Sequence, residues 1–140
     1  MWFYVIVLID QMIKYYVESK ELNIPIINNF FNIIYTQNTG GIYGILQGRN
    51  YLFIILSIEI LAVLIFFSYK EISKNRKKFA IWQFVIAGGV SNVIDRIFRG
   101  YVVDFIQLKF FGVFNLADLM IVFGVIAIVV MDLREMKHEK

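Results

Sequence analysis

The sequence has no cysteine and only one histidine among its 140 residues. Without cysteine, the chain has no disulfides, thiolate catalysis or cysteine-based metal site. The single histidine, His138, lies in the charged C-terminal tail, where a solvated side chain is the ordinary interpretation. Charge is also scarce, because 18% of the residues are charged and 59% are hydrophobic. A soluble domain of this size could not bury so much apolar surface, so the composition predicts a membrane protein.

Four segments of the chain are long and apolar enough to span a bilayer: residues 1–18, 51–69, 79–98 and 115–133. Each is near the ~20 helical residues that cross ~30 Å of hydrocarbon. The first has no basic start and no small-residue cleavage site after it, so we predict a retained helix and not a removable signal peptide. No internal repeat is visible, which weighs against an inverted-repeat transporter.

Lysine and arginine are unevenly distributed among the connecting segments. The connector after the second predicted helix and the C-terminal tail are rich in them, while the other two connectors are poor. By the positive-inside rule, both termini and the middle connector are cytoplasmic. This bias accounts for most of the net charge of +3, so the charge requires no nucleic-acid partner. The basic residues concerned are Lys70, Lys74, Arg76, Lys77 and Lys78, then Arg134, Lys137 and Lys140.

Two segments outside the predicted helices have strand character. Residues 22–48 combine β-branched and aromatic residues with an Asn-Thr-Gly-Gly turn signal, and residues 99–114 contain the run "YVVDFIQL" before a turn at Gly112. We expect the first segment to form a small sheet resting on the bilayer and the second to pack against the outer end of the helices. The predicted fold is an all-α membrane protein. Its single domain, residues 1–140, has four transmembrane helices and an extracytoplasmic β-sheet between the first and second.

Polar residues recur at helical spacing inside two predicted spans. Asp10 and Lys14 are four apart, which places them on one helix face and within pairing distance. An ion pair in a membrane must face the bundle interior, where it either fixes helix packing or serves function. Along the third span, Gly88, Asn92, Asp95 and Arg99 lie on one stripe. We predict that Asp95 and Arg96 form a buried hydrogen-bonded network that supports the following loop.

Two further acids, Asp104 and Asp118, fall at the outer edge of the predicted bundle, and Asn115 is a candidate helix cap. Two close carboxylates share a proton, so one can activate a water while the other protonates a scissile carbonyl. Taken alone, such acids are more often solvated caps. The non-enzymatic alternative is a small four-span carrier or assembly factor, with an ion path through Asp10, Lys14, Glu59 and Asp95. Clustering of Asp95, Asp104 and Asp118 at one edge favours instead the carboxyl pair of an aspartic peptidase.

Five motifs carry a resemblance to a known family: "DQMIK" (10–14), "NTGGIYGIL" (38–46), "GGVSNVIDR" (88–96), "GYVVDF" (100–105) and "FNLAD" (114–118). Their identity and order resemble those of the lipoprotein signal peptidases, signal peptidase II. The chain departs from the usual family pattern at Ser91, Leu119 and Tyr43, and none of these departures removes a motif acid or asparagine.

The resemblance implies a membrane aspartyl endopeptidase that removes the signal peptide from diacylglyceryl-modified bacterial prolipoproteins, just before the lipidated cysteine. It implies a multi-pass enzyme of the bacterial cytoplasmic (inner) membrane with its site at the extracytoplasmic face. Prolipoproteins and membrane lipid would be its partners. Because the predicted spans contain no histidine or cysteine and the acids form the pair, we expect no metal or cofactor. A monomer is the simplest assembly because one chain holds every motif. By the same resemblance Asp104 and Asp118 are the catalytic pair, and the residues that shape the site or hold substrate are Asn38, Gly40, Asn92, Asp95, Arg96, Asn115, Asp10 and Lys14.

The surroundings of the two acids predict unequal roles for them. Asp118 begins a helix, whose N-terminus favours a negative charge, so it is the candidate to activate water. Asp104 lies between Val103 and Phe105, where desolvation favours the protonated form. We therefore predict that the shared proton resides mostly on Asp104.

Overall fold

The computed structural model describes residues 2–28, 30–40 and 50–138. These residues form a mostly helical fold with a small β-sheet, which confirms the predicted class at that level. In chain order the elements are α1 (Trp2–Ser19), β1 (Asn23–Ile27), β2 (Phe31–Asn38), α2 (Asn50–Glu71), α3 (Arg76–Phe98), β3 (Val102–Leu108), β4 (Gly112–Phe114) and α4 (Leu116–His138).

Helices α2 and α4 have the length and composition of membrane spans. Each contains a stretch with a mean hydropathy of 2.5, and only 6% and 17% of the residues in those stretches are buried. So much exposed apolar surface separates them from the core helices of soluble proteins and fits a lipid environment. The other two helices carry the buried ionisable side chains, which lower their hydropathy. By this criterion α2 and α4 are the two candidate spans among the described residues.

Helix α3 is the centre of the bundle, since it packs against α1, α2 and α4. Its approach to α4 depends on Gly88, where an added Cβ would lie 2.5 Å from the backbone oxygen of Ala117. At Gly89 an added Cβ would meet the side chain of Leu61 on α2 at 3.0 Å. Small residues allow such close approach between membrane helices. The glycine pair therefore sets the spacing of α3 from both neighbours.

The sheet is antiparallel, with strand order β1-β2-β3-β4. The sequence predicted a sheet confined to the segment between the first two helices. This was wrong, because β3 and β4 follow α3 and belong to the same sheet. Local pattern revealed the strand character of "YVVDFIQL" but not its partner, because pairing Thr36 with Asp104 joins residues far apart in the chain. The end of the predicted sheet, 41–48, lies outside the described residues.

The start of β3 is the point at which the sheet meets the helices. Gly100 has φ +85, a conformation that favours glycine, and it turns the chain from α3 into the strand. This explains the glycine of the "GYVVDF" motif. The residues Val102, Val103, Asp104 and Phe105 are all buried. The strand therefore carries Asp104 into the interior between sheet and bundle.

Candidate active site

Asp104 is buried on β3, with 2% of its surface exposed. Both of its carboxyl oxygens accept hydrogen bonds from amide groups. Asn115 Nδ2 donates to Oδ1 at 2.8 Å, and Asn38 Nδ2 donates to Oδ2 at 2.8 Å. The two donors come from the start of α4 and the end of β2. The carboxyl group is therefore fixed by elements on either side of its strand.

Asn38 is itself oriented by the turn that follows it. The backbone N–H of Gly40 donates to Asn38 Oδ1 at 2.8 Å, which leaves the Nδ2 group facing Asp104. Gly40 has φ +80, and an added Cβ would lie 2.7 Å from the ring of Phe53. The turn thus requires glycine for two reasons. The rest of this motif, including Tyr43, lies outside the described residues.

Asp118 lies in the first turn of α4, where Asn115 is the N-cap residue, as the sequence predicts. The N–H of Asp118 donates to Asn115 Oδ1 at 2.9 Å, and the N–H of Asn115 donates back to Asp118 Oδ2 at 3.2 Å. This reciprocal pair is a capping box. Asn92 Nδ2 completes the site by donating to Asp118 Oδ1 at 2.8 Å.

Two asparagines join the two acids. Asn115 Nδ2 donates to Asp104 and also to Asn92 Oδ1, the latter at 3.1 Å. Asn92 in turn contacts Asp118, so the carboxyl groups share a buried amide network although they come from different elements. Among the residues that the structure describes, neither acid forms a salt bridge, so amide groups hold the two carboxyl groups together.

Burial raises the pKa of Asp104 to about 6, and the charge of Asp118 acts in the same direction. The amides of Asn38 and Asn115 oppose this rise, because they donate to the ionised form. The raised pKa favours the protonated form of Asp104. A carboxyl group with this pKa is suited to act as a proton donor in weakly acidic conditions.

A buried charged cluster supports the two acids from within the bundle. Lys14 Nζ lies 2.8 Å from Asp10 Oδ2 and 2.9 Å from Asp95 Oδ2, and all three residues have no exposed surface. The predicted pairing of Asp10 with Lys14 is present. Lys14 also donates to Asn92 Oδ1 at 2.9 Å, which links the cluster to the amide network.

Asp95 is paired with Arg99 and not with Arg96, which corrects the predicted network. Arg99 lies four residues later, on the same helix face, whereas adjacent residues on a helix point in different directions. Arg96 instead donates from Nη1 to the backbone oxygen of Asn92 at 3.3 Å. Asp95 Oδ2 also accepts the N–H of Val103 at 3.1 Å, which fixes the backbone immediately before Asp104.

Two polar residues of this cluster were not selected from the sequence. The Ser91 hydroxyl donates to Asp10 Oδ2 at 2.6 Å, and Gln11 Nε2 donates to Ser91 Oγ at 2.9 Å and Asp95 Oδ1 at 2.9 Å. Ser91 lies four residues before Asp95, so helical spacing could have found it. Gln11 lies inside the "DQMIK" motif, but the four-residue spacing that pairs Asp10 with Lys14 does not include it, because adjacent residues on a helix point in different directions.

An apolar groove of about 270 Å³ lies between α2, α3 and α4 and reaches the site. Its polar members are Ser57, Asn92 and Arg96, and Asn92 contacts Asp118. The groove can therefore hold an aliphatic group next to Asn92, which contacts Asp118. The remaining lining residues are Ile60, Leu61, Leu64, Gly89 and Ile121.

Asp95→Asn is expected to lower thermal stability strongly and activity only in part. The change leaves the buried Lys14 and the half-buried Arg99 with fewer negative partners, and breaking a buried ion pair costs about 3 kcal/mol or more. Melting in detergent and turnover of the same preparation measure the two effects. Asp132→Asn is the matched control, since its side chain is 47% exposed and pairs with Lys78 on another part of the bundle. A fully stable Asp95→Asn protein with no turnover would move Asp95 into the reacting group.

A family sequence model and individual relatives identify the same protein family. The sequence model described as signal peptidase (SPase) II matches residues 2–134. A lipoprotein signal peptidase of Halothermothrix orenii is 39% identical over 123 residues, which are 86% of this chain and 84% of the relative. One from Caldicellulosiruptor bescii is 37% identical over 129 residues, 91% of this chain and 85% of the relative.

Solved structures agree with the sequence relatives. A structure described as a bacterial membrane enzyme has a TM-score of 0.84 and 33% identity, and the match covers 99% of this chain and 88% of that one. A second, also described as a bacterial membrane enzyme, has a TM-score of 0.80 and 34% identity, with 92% and 88% covered. The family motifs, the matched length and the shared fold all lead to one conclusion: this chain belongs to the signal peptidase II family.

Proposed function

We propose that the chain is an aspartyl endopeptidase that removes signal peptides from diacylglyceryl-modified prolipoproteins, just before the lipidated cysteine. The observation that carries the proposal is the joining of Asp104 and Asp118 through the amide of Asn115 and its contact with Asn92. Two carboxyl groups held together beside an apolar groove suit peptide hydrolysis on a lipid-bearing substrate.

In the proposed reaction, Asp118 is ionised and Asp104 carries a proton. Asp118 accepts a proton from a water, whose oxygen attacks the carbonyl carbon of the scissile peptide. Asp104 donates its proton to the carbonyl oxygen, which avoids a free oxyanion in the tetrahedral intermediate. The intermediate then collapses: the C–N bond breaks, the leaving nitrogen takes the proton now held by Asp118, and the hydroxyl returns its proton to Asp104.

The other site residues hold these groups in place. Asn38 and Asn115 fix Asp104, while Asn92 and Asn115 fix Asp118. Preorganised groups of this kind lower the cost of reaching the reactive geometry. We assign substrate contact to Arg96 and the Gly40 turn, and helix positioning to the buried cluster of Asp10, Lys14 and Asp95.

We infer that all four helices span the bacterial cytoplasmic membrane, with both termini inside and the acids at the outer face. Lys78, from the basic connector, binds Glu71, Asp132 and Glu135, while the acids and the sheet lie at the start of α4. The basic residues and the site are thus at opposite ends of α4. The positive-inside rule assigns the basic end to the cytoplasm, so the site is assigned to the outer face. One chain supplies every site group, which supports a monomer.

The carrier hypothesis finds no support in the positions of its residues. It needs Asp10, Lys14, Glu59 and Asp95 along one path. In the structure Glu59 is exposed on α2, whereas the other three are buried and bonded to one another. A neutralised cluster of this kind holds helices together and offers no stepwise route for an ion.

A gel-shift assay with a purified diacylglyceryl-modified prolipoprotein tests the proposal. We expect the parent protein to convert the substrate to a shorter, lipid-bearing product. The same prolipoprotein without the diacylglyceryl group is the control and should be cut far more slowly. Absence of cleavage would contradict the proposed function, and equal cleavage of both forms would contradict the proposed substrate class.

Exhaustive treatment with EDTA is expected to leave cleavage unchanged. The proposed reaction uses two carboxyl groups to activate water, a task that metal-dependent peptidases give to the ion. Within the described ranges, no group of three histidine, cysteine or acidic side chains is arranged to hold a metal ion. Loss of activity that Zn²⁺ or Mg²⁺ restores would exclude the mechanism.

A further inference from the structure

Glu18, in the last turn of α1, collects three hydrogen-bond donors from other elements. Its Oε2 atom accepts Arg99 Nε at 3.0 Å, and its Oε1 atom accepts the hydroxyl groups of Tyr101 at 2.6 Å and Tyr35 at 3.3 Å. The two hydroxyl groups are themselves 3.2 Å apart. We call these four residues the Glu18 cluster. Glu18 lies outside every motif that resembles the family.

The two tyrosines lie on the two chain segments that carry Asn38 and Asp104. Tyr35 lies on β2 three residues before Asn38, and Tyr101 precedes β3 and lies three residues before Asp104. Asn38 and Asp104 are joined by the 2.8 Å amide hydrogen bond. The Glu18 cluster therefore holds together the same two chain segments as this bond does, from the α1 side.

The backbone pairing of β2 with β3 is interrupted just before the residues that lead to Asn38. The register shifts between Ile33 and Thr36, so Tyr35 lies within the irregularity. A bulge interrupts the regular ladder and leaves the local backbone less constrained. Regular pairing resumes at Thr36 and includes Asn38, so the side-chain bonds to Tyr35 support the point at which this pairing begins.

Arg99 connects the Glu18 cluster to the interior. Its Nη1 atom donates to Gln11 Oε1 at 2.9 Å and pairs with Asp95. Asp95 accepts the N–H of Val103, the residue before Asp104. Glu18 thus acts on β3 at two points, directly through Tyr101 and indirectly through Arg99.

We propose that Glu18 is a positioning residue for peptide hydrolysis, because its carboxylate holds Tyr35 and Tyr101 and thereby keeps Asn38 in contact with Asp104. The inference rests on the proposed function for its kinetic consequence. Removal of Glu18 leaves no fully buried, unpaired charge behind, because the Arg99 side chain is 18% exposed and keeps its pairing with Asp95.

The test compares Glu18→Ala with Glu18→Gln and the control Glu21→Ala. Glu21 is exposed just beyond the end of α1. Glu18→Ala should lower kcat about tenfold or more with little change in KM, since the geometry of the acids is disturbed and the groove is not. Glu18→Gln retains an acceptor for the tyrosines and should recover most of the lost kcat. Glu21→Ala should match the parent.

Hydrogen exchange measured by mass spectrometry supplies a readout that needs no substrate. Glu18→Ala should speed exchange in peptides covering residues 31–38 and 102–108, and Glu21→Ala should not. If the parent fails to cleave the lipid-modified prolipoprotein while exchange responds, the proposed function fails and the clamping of the strands stands. If the parent cleaves and Glu18→Ala keeps the parent kcat, the positioning role is overturned, whatever the exchange shows.

Two smaller changes decide the matter if Glu18→Ala does not fold. Tyr35→Phe and Tyr101→Phe each remove one hydroxyl group and leave the ring in place. Each should lower kcat about threefold to tenfold, the effect expected when one ordinary hydrogen bond is lost. Parent-like kcat in both variants would overturn the proposal.

Discussion

Replacing Asp104 or Asp118 by asparagine is expected to abolish cleavage, with turnover reduced at least about a thousandfold in each case. Asparagine at position 104 has no acidic proton for the scissile carbonyl. Asparagine at position 118 cannot accept a proton from water. Because the two acids act as one unit, the double variant should be no less active than either single variant.

The Asp104→Asn protein should remain folded because ionised Asp104 costs stability. Burial raises the pKa of Asp104 to about 6 from an ordinary 3.8, so the folded protein binds this proton more tightly than the unfolded chain does. The stabilising contribution of the protonated group is therefore complete below about pH 4 and is lost as pH rises through about 6. At pH 7.5 the ionised group costs on the order of 3 kcal/mol. Asparagine at position 104 carries no charge and so removes this cost. The gain offsets the unfavourable contact of its NH2 group with Asn38 Nδ2, which is also a donor.

Asp132→Asn on the same helix as Asp118 is the matched control for both changes. It makes the same chemical substitution on a side chain that is 47% exposed and pairs with Lys78. We expect cleavage at the parent rate from this variant. Gel-shift rates and melting temperatures at pH 7.5 complete the comparison. A folded Asp104→Asn protein that cleaves near the parent rate would contradict the proposed mechanism.

Features set by local spacing could be predicted from the sequence. Asp10 and Lys14 form the expected pair because residues four apart on a helix are neighbours, whatever surrounds them. Asn115 caps α4 because its side chain reaches an N–H three residues later. Each of these interactions depends on a single turn of chain, so no tertiary information was needed.

Features that depend on packing between distant segments could not be predicted in the same way. The contact of Asn38 with Asp104 joins residues 66 positions apart and depends on the β2–β3 register. The sequence showed strand character in both segments, but alternation within a strand does not identify its neighbour. The sheet was therefore placed between two helices, when half of its strands come from later in the chain.

The choice of Arg96 as partner for Asp95 failed for a different reason. Adjacency in sequence suggested the pair, yet on a helix the side chain four residues later lies closer. Arg99 meets that condition and forms the bond, while Arg96 lines the groove. The stripe of Asn92, Asp95 and Arg99 on one face of α3 places Arg99, and not Arg96, beside Asp95. Helical spacing was the better guide than sequence adjacency.

The dependence of kcat/KM on pH is expected to be bell-shaped, with an alkaline limb that reports Asp104. Protonation of Asp118 removes the water-activating base on the acidic side, and loss of the Asp104 proton removes the acid on the other. Since burial raises the pKa of Asp104 to about 6, activity should decline as pH rises through that region. Removing the Asn38 amide takes away a donor that favours the ionised form. Asn38→Ala should therefore move the alkaline limb to higher pH, because the pKa of Asp104 then rises further.

Asn32→Ala is the control for this shift, since it makes the same substitution on the same strand. Asn32 donates to Gln107 Oε1 at 2.7 Å near the other end of β2 and has no hydrogen bond to Asp104. The pH profile of Asn32→Ala should follow that of the parent. Measuring kcat/KM from about pH 4 to about pH 9 covers both limbs for the parent, Asn38→Ala and Asn32→Ala. Desolvation raises the pKa of Asp104, and the hydrogen bond from Asn38 lowers it. Loss of the Asn38 donor therefore predicts that the alkaline limb moves to higher pH. If the alkaline limb of the kcat/KM profile of Asn38→Ala stays in place or moves to lower pH, the acid that titrates in this limb is not Asp104.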